Sequence, residues 1–367
     1  MLIEPFKLEN WINEREKFTK YDLSNTCVAP LTLNELGKIA DCDFSKMFDI
    51  KLNYGQLWGS EGLKNAICNL YEHQKTENVT VTLGGIGANS LVLKTLVNKG
   101  DKVVCILPCY QQAYALPRFY GANVELFYLN QEDWSLNKEE FARIVGNDTK
   151  LICLTTPNNP TGMNFSDDEV EFIVQTARKC GAFIFADEAY RGLNHFGNPY
   201  SKSFADIYEK GIVTGSMSKA YSLAGIRLGW IVADAGVIKD INLNREYNTI
   251  SISGLDDYVA TVALNNHEKI IKRNLKIIQE GKQTVKEFLT KVPYLSWVEP
   301  NSGTIGCVKY DLHIKSEEFC DNLLKETGIL VIPASVFEYE NFFRLGYATN
   351  NLNDVLEELE KFVDKSI

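Results

Sequence analysis

Short apolar runs alternate along this chain with segments whose apolar residues recur every three or four positions. Runs at 79–83, 103–107, 124–129, 150–155, 183–187, 212–215 and 228–232 are rich in Val, Ile, Leu and Phe and too short for helices. They predict buried strands. Helical spacing fills several gaps, at 84–96, 111–120, 138–145 and 166–180. Ser166 caps the last of these, with acidic residues in its first turn, and Ser60 caps an earlier helix with Leu63, Ala66, Ile67 and Leu70 as its buried stripe. Strict alternation of strand and helix implies an α/β fold with a mostly parallel sheet flanked by helices on both faces.

The pattern differs at both ends. Residues 1–20 read as a charged helix, and 21–30 break into a turn-rich extended arm that must lie across something. From about residue 233 the spacing predicts a long helix at 265–291, a strand at 306–310, a helix at 316–327, a short strand at 329–332 and a last amphipathic helix at 353–363. The expected organisation is therefore an N-terminal helix and arm (1–35), a large domain (36–250) and a smaller α+β C-terminal domain (251–367).

Composition narrows the function. With 38 basic and 48 acidic residues the net charge is −10, and no basic block interrupts it, which argues against nucleic acid as a partner. The first residues include Glu4, Lys7, Glu9 and Asn10, unlike a signal peptide or membrane anchor. Nine cysteines without a C-x-x-C pair read as reduced thiols of a cytoplasmic protein. Four histidines, none at metal-ligand spacing, give no reason to expect a metal, and His195 reads as structural or exposed.

The richest chemistry lies in SMSKAYSLAGIRLGW, residues 216–230, between two predicted strands. Ser216 and Ser218 bracket Lys219, and Arg227 follows eight residues later. Two hydroxyls and two cations suit a bound anion, and a partly desolvated lysine beside a second cation is a nucleophile toward an aldehyde. The turn Gly84-Gly85-Ile86-Gly87-Ala88 opens a helix, where backbone N–H groups attract phosphate. It lacks G-x-G-x-x-G, which disfavours a dinucleotide. Asp187 ends an apolar strand, a costly place for a carboxylate unless it meets a cation. Arg344, inside Phe-Phe-Arg-Leu-Gly-Tyr, is costly to bury without an anion, and its planar fork suits a carboxylate.

The spacing S-x-S-K followed by G-x-R-x-G-W resembles the cofactor-lysine segment of the class I/II aminotransferases, the pyridoxal-phosphate (PLP) dependent enzymes of fold type I. Further similar motifs follow in order between Tyr54 and Ala348, among them N-P-T-G at 159–162 and F-R-L-G at 343–346. The resemblance implies that Lys219 carries pyridoxal 5'-phosphate as a Schiff base and that Asp187 faces its ring nitrogen. Tyr110 would stack on the ring, and Asn159 and Tyr190 would donate to its phenolic oxygen. Gly84, Gly85, Ile86, Ser216, Ser218 and Arg227 would cradle the phosphate. This chain has no hydroxyl or amide side chain at 84–86, unlike many relatives, so backbone N–H groups carry more of that task. Tyr54 would reach the phosphate of a neighbouring subunit, implying a homodimer with shared sites. Arg344 would take the substrate α-carboxylate, with Asn159, Asn25, Thr26 and Cys27 nearby. The implied activity is transfer of an amino group between an α-amino acid and a 2-keto acid. The alternative is a lyase performing C–S β-elimination, or an amino-acid-tailoring cyclase or oxidase of the same fold. The arm at 25–36 faintly resembles tailoring relatives, and the acidic chain would suit a basic amino acid in that role.

Overall fold

The computed structural model describes residues 3–349 and 352–365. Residues 1–2, 350–351 and 366–367, which the first and third expected domains include, lie outside the described residues. A two-residue strand, β1 (Tyr21–Asp22), comes first in the chain. The central sheet follows: β2 (Val79–Leu83), β3 (Lys102–Leu107), β4 (Asn123–Tyr128), β5 (Thr149–Thr155), β6 (Phe183–Asp187), β7 (Gly211–Ser216) and β8 (Leu228–Val232). Their spatial order is β2-β8-β7-β6-β5-β3-β4. Strands β3 to β7 pair in parallel, and β8 runs antiparallel to β2 and β7. Every residue of β7 and β8 is buried, which is why these segments read as unbroken apolar runs rather than alternating ones.

The caps expected from sequence form. Ser60 Oγ accepts from Leu63 N at 3.1 Å, and Ser166 and Glu169 make a reciprocal capping box. Among the described residues four helices escape the periodicity reading: Leu33–Ala40, Ala235–Arg245, Gly254–Leu264 and the single turn Phe204–Ile207. The first is short and hangs on a Thr32–Glu35 capping box. The second buries Asn242 and Arg245 beside Ile238 and Ile241, so its inward face does not read as apolar. At the N-terminus the helix is confined to Lys7–Arg15.

A second, antiparallel sheet is built from β9 (Leu295–Trp297), β10 (Ile305–Tyr310), β12 (Ile332–Pro333) and β13 (Phe342–Gly346), in the order β12-β13-β10-β9. The single strand expected at 329–332 is divided. Its first half, β11 (Ile329–Leu330), pairs in parallel with β1, while β12 pairs with β13. Between the halves, the Val331 carbonyl accepts from Trp11 Nε1 at 3.0 Å. One apolar run thus serves two sheets and fastens the N-terminal helix.

The arm after β1 is held along its length. Leu23 O accepts from Gly346 N at 2.7 Å, Thr26 O from Thr304 Oγ1 at 2.8 Å, Ala29 O from an Arg273 Nη at 3.1 Å, and Leu31 N donates to Ser222 O at 3.0 Å. These contacts carry the arm across the C-terminal edge of the central sheet, the edge where open α/β sheets bind ligands.

Candidate active site

Register brings the functional side chains together. Asp187, the last residue of β6, lies between Thr155 of β5 and Thr214 of β7. Ser216 ends β7 opposite Gly229 of β8, and Gly229 also faces Thr82 of β2, just before the glycine turn. The strand ends, the N-terminal arm and the second sheet enclose a cavity of about 590 Å³. Its lining includes Lys219, Asp187, Asn159, Tyr190, Tyr110 and Arg344. Gly85, Ile86, Ser216, Ser218 and Arg227 close one end, and Asn25 and Thr26 cover it.

Lys219 Nζ donates to Thr26 Oγ1 at 2.5 Å and lies 3.6 Å from Cys27 Sγ. The arm therefore holds the amine directly. Asp187 is gripped at both oxygens, by Asn89 Nδ2 at 2.8 Å and by Ala189 N at 3.1 Å. Asn89 is itself oriented by Thr214 Oγ1, which donates to its carbonyl at 2.7 Å. Burial raises the Asp187 pKa, while Asn89, the Ala189 N–H and the charge of Lys219 oppose that shift. A cation at the open side of this carboxylate would oppose it further.

Arg344 sits on β13, opposite Cys307 and Ile332, and is 2% exposed. It donates to Asn159 Oδ1 at 3.0 Å and to Ser24 O at 2.8 Å, and its Nε has no partner. Among the described residues it makes no ion pair, so it is not half of an internal salt bridge. Burial lowers its pKa. Tyr190 Oη, equally buried, also lacks a partner. Two unsatisfied donors on one cavity wall mark a place built for a polar ligand. The neighbouring Asn158 is spent inside the loop, on Pro108 O, Thr161 N and Thr161 Oγ1. Of the two adjacent asparagines only Asn159 faces the cavity.

At the anion end, Ser216 Oγ donates to Ser218 Oγ at 2.9 Å and accepts from Ser218 N at 3.1 Å. Gly84 begins its helix at φ +69°, and a Cβ there would lie 2.8 Å from an Arg227 Nη. A Cβ at Gly229 would come within 2.5 Å of the Gly84 backbone. Side chains at either place would push the glycine turn and Arg227 apart. First-turn N–H groups of a helix have no intrahelical acceptor, and Gly85 and Ile86 of this first turn line the cavity beside Ser216 and Arg227.

Tyr110 lines the cavity, with its hydroxyl donating to Glu9 Oε1 at 2.7 Å and its ring 4.8 Å from that of Phe6. Burial and the Glu9 carboxylate raise its pKa. Tyr54 is elsewhere: its side chain is exposed, at 76%, and is not part of the cavity wall. Sequence reading missed Asn89, Glu9, Asp22 and Ser24, all of which line it. An amide on the otherwise apolar face formed by Ala88, Leu91 and Val92 was the available signal for Asn89. No local motif announces the others. His195 is structural in its contacts, with ring nitrogens 3.0 Å from Pro300 O and 2.9 Å from Gly303 O.

Comparison with known proteins agrees with this geometry. The family model for aminotransferase class I and II matches residues 38–362. Capreomycidine synthase of Streptomyces vinaceus is 25% identical over 354 residues, covering 93% of this chain and 88% of that protein. Aspartate aminotransferase of Bacillus sp. (strain YM-2) is 24% identical over 345 residues, covering 89% and 87%. Among solved structures, a PLP-dependent aminotransferase from Streptococcus suis 89-1591 superposes with a TM-score of 0.96 at 34% identity, over 100% of this chain and 99% of that one. The PLP-dependent cyclase OrfR superposes with a TM-score of 0.92 at 22% identity, over 100% and 99%.

Proposed function

Given that the chain belongs to the class I and II aminotransferase family and is an enzyme, we propose that it binds pyridoxal 5'-phosphate and transfers an amino group between an α-amino acid and a 2-keto acid. One observation carries this reading: Lys219, Asp187 and Arg344 converge on a single cavity in which Tyr190 Oη and Arg344 Nε have no partner.

The residues fit the cofactor. Lys219 would hold its aldehyde, and Asp187 its ring nitrogen. Asn159 and Tyr190 would meet the phenolic oxygen, Tyr110 the ring face, and the Gly84–Gly85–Ile86 turn with Ser216, Ser218 and Arg227 the phosphate. The cofactor, when bound, supplies an electron sink for charge developing at the substrate α-carbon. The protein supplies the rest. Asp187, fixed at both oxygens, presents a carboxylate whose buried charge is best met by a cationic ring nitrogen. Arg344 receives the α-carboxylate through donors that now contact Asn159 and Ser24. Lys219 Nζ, steadied by Thr26, would take and return a proton at the substrate α-carbon.

The fold likeness to a cyclase and the match to capreomycidine synthase favour a second reading, in which the same proton abstraction leads to elimination or ring closure. Coupled assays separate the two. Turnover of an amino acid that depends on an added keto acid supports transfer; ammonia or a rearranged product without an acceptor supports the second reading.

We further propose a homodimer. Phe48, Leu52, Tyr54 and Tyr247 are between 76% and 92% exposed, an apolar set that suits a subunit interface. Tyr54 would then contribute to the partner's phosphate site. Sedimentation of the holoenzyme gives the mass, and Tyr54→Phe should weaken cofactor binding without changing it. The division at 35/36 and 250/251 goes with this reading, as does a cytoplasmic setting, supported by nine free cysteines. Among the described residues no helix is long and apolar enough to cross a membrane.

A further inference from the structure

Asp187 and Tyr190 reach the cavity from one short turn. Arg191 N donates to Glu188 O at 2.9 Å, which closes the turn and leaves Ala189 and Tyr190 at its tip. Asp187, Ala189 and Tyr190 line the cavity, whereas the two residues at the base of the turn, Glu188 and Arg191, are not part of its wall. The reaction proposed above gives neither of them a task.

Both are nonetheless buried, and their side chains form an ion pair across the base, with Arg191 Nε 3.7 Å from Glu188 Oε2. Ser203 Oγ lies 3.0 and 2.9 Å from the two Glu188 oxygens, and Phe204 N donates to Oε1 at 3.0 Å. Arg191 donates to Ser201 O and to Leu70 O, each at 2.8 Å. Its guanidinium lies over the rings of Tyr71 and Tyr200, 4.8 and 5.2 Å from their centroids. Burial raises the Glu188 pKa to about 7, although Arg191, the Phe204 N–H and Ser203 favour the carboxylate. A buried pair held at such a cost is a weak source of stability. What it supplies is direction: two charges tied to the segments at 70–71 and 200–204 fix the base of the turn, and with it the tip.

The tip matters unequally to the two site residues. Asp187 has an independent grip in Asn89. Tyr190 Oη is buried with no partner, so the direction of that hydroxyl is left to the backbone of the turn and the packing of its ring. We propose that Glu188 and Arg191 are positioning residues that act through Tyr190, clamping the turn so that its hydroxyl is already aimed when the cofactor binds. The claim rests on the cofactor reading of the site and deepens it: Tyr190 is the residue assigned to the phenolic oxygen, and the clamp sets how well it donates there.

The test is a pH titration of the visible absorbance of the PLP-loaded enzyme, for Tyr190→Phe, Glu188→Gln and the double variant. A donor at the phenolic oxygen makes that oxygen hold a proton less tightly. Tyr190→Phe should therefore raise the midpoint by about one to two pH units, the worth of a hydrogen bond to a charged oxygen. Glu188→Gln, nearly unchanged in shape, should raise it by a smaller step, and in the Tyr190→Phe background should add almost nothing. Ser203→Ala loosens Glu188 but keeps its charge; it should shift the midpoint the same way, and it serves if Glu188→Gln leaves Arg191 unmatched and folds poorly. No shift in Tyr190→Phe, shifts that add in the double variant, or wild-type midpoints in both Glu188→Gln and Ser203→Ala would overturn the clamp and leave the binding of PLP intact. A wild-type enzyme that gains no visible absorbance with PLP would end the cofactor reading, and the clamp with it.

Discussion

Two cavities of similar size lie in this molecule, and only one has the chemistry of a site. The first, of about 630 Å³, opens between the loop at Asn198–Tyr200 and the helix His267–Leu289. Two of its polar groups meet each other and others turn to residues outside it: Tyr200 Oη meets His267 Nδ1 at 2.9 Å, and Gln279 donates to His195 O at 3.2 Å. Charged side chains of both signs line each of them, but only the second, of about 590 Å³, also holds two buried donors without partners. Volume does not tell them apart; unmet hydrogen-bonding capacity does. Burial of a cation does not suffice either. Arg245 is wholly buried and keeps one Nη without a partner, yet its other donors are anchored on the carbonyls of Val81, Thr249 and Ile250 and it lines neither cavity, so an unmet donor counts only where it faces ligand-sized space.

The comparison breaks most visibly at the lysines. Lys219→Ala should lower turnover by about 10⁴-fold, the upper range for removal of a proton-transferring group, in single-turnover kinetics. Lys272→Ala, on the first cavity, should leave turnover within about twofold. Comparable losses from both would erase the distinction. Next comes the carboxylate receiver. Arg344→Ala should cut kcat/KM for amino acids by about 30-fold to 3,000-fold, the cost of breaking a buried charge pair, and affect amines lacking a carboxylate far less.

A smaller effect concerns the phosphate end. Gly84→Ala forces a side chain into a left-handed conformation and against Arg227, which should cost about 1–3 kcal/mol in thermal unfolding and weaken cofactor binding. The smallest belongs to the first cavity. Burial depresses the pKa of His267 below its ordinary 6.5, so the fold prefers the neutral ring. Its contribution to stability is present above that pH and is lost as pH falls from the unfolded value toward the folded one. His267→Gln should flatten the acid limb of the stability curve and leave the pH profile of turnover unchanged.

Much of the second cavity was legible in the sequence because its parts follow strand ends, where apolar runs stop at a charged or polar residue, or, for Arg344, interrupt an apolar run in mid-strand. Lys219, Asp187, Asn159, Arg227 and Arg344 all announce themselves by that contrast. The glycine turn does so by opening a helix. What stayed hidden arrives from far away in the chain. Glu9 and Asn89 sit on helices whose local pattern records only which face is buried, and Asp22 reaches the cavity because β1 pairs with β11 more than three hundred residues later. The divided run at 329–332 has the same origin: periodicity cannot show that two sheets share one segment. The parts of the cavity thus differ in how they are encoded, Lys219, Asp187 and Arg344 by local contrast and Glu9, Asp22 and Asn89 by tertiary pairing.

The central claim is that Lys219, alone among the lysines, is the residue that holds pyridoxal phosphate. Borohydride reduction of the loaded enzyme followed by peptide mass mapping tests it directly. One pyridoxyl group on Lys219, with Lys272 and Lys276 of the first cavity unlabelled, is the predicted result. Label spread over surface lysines, or concentrated at the first cavity, would contradict it.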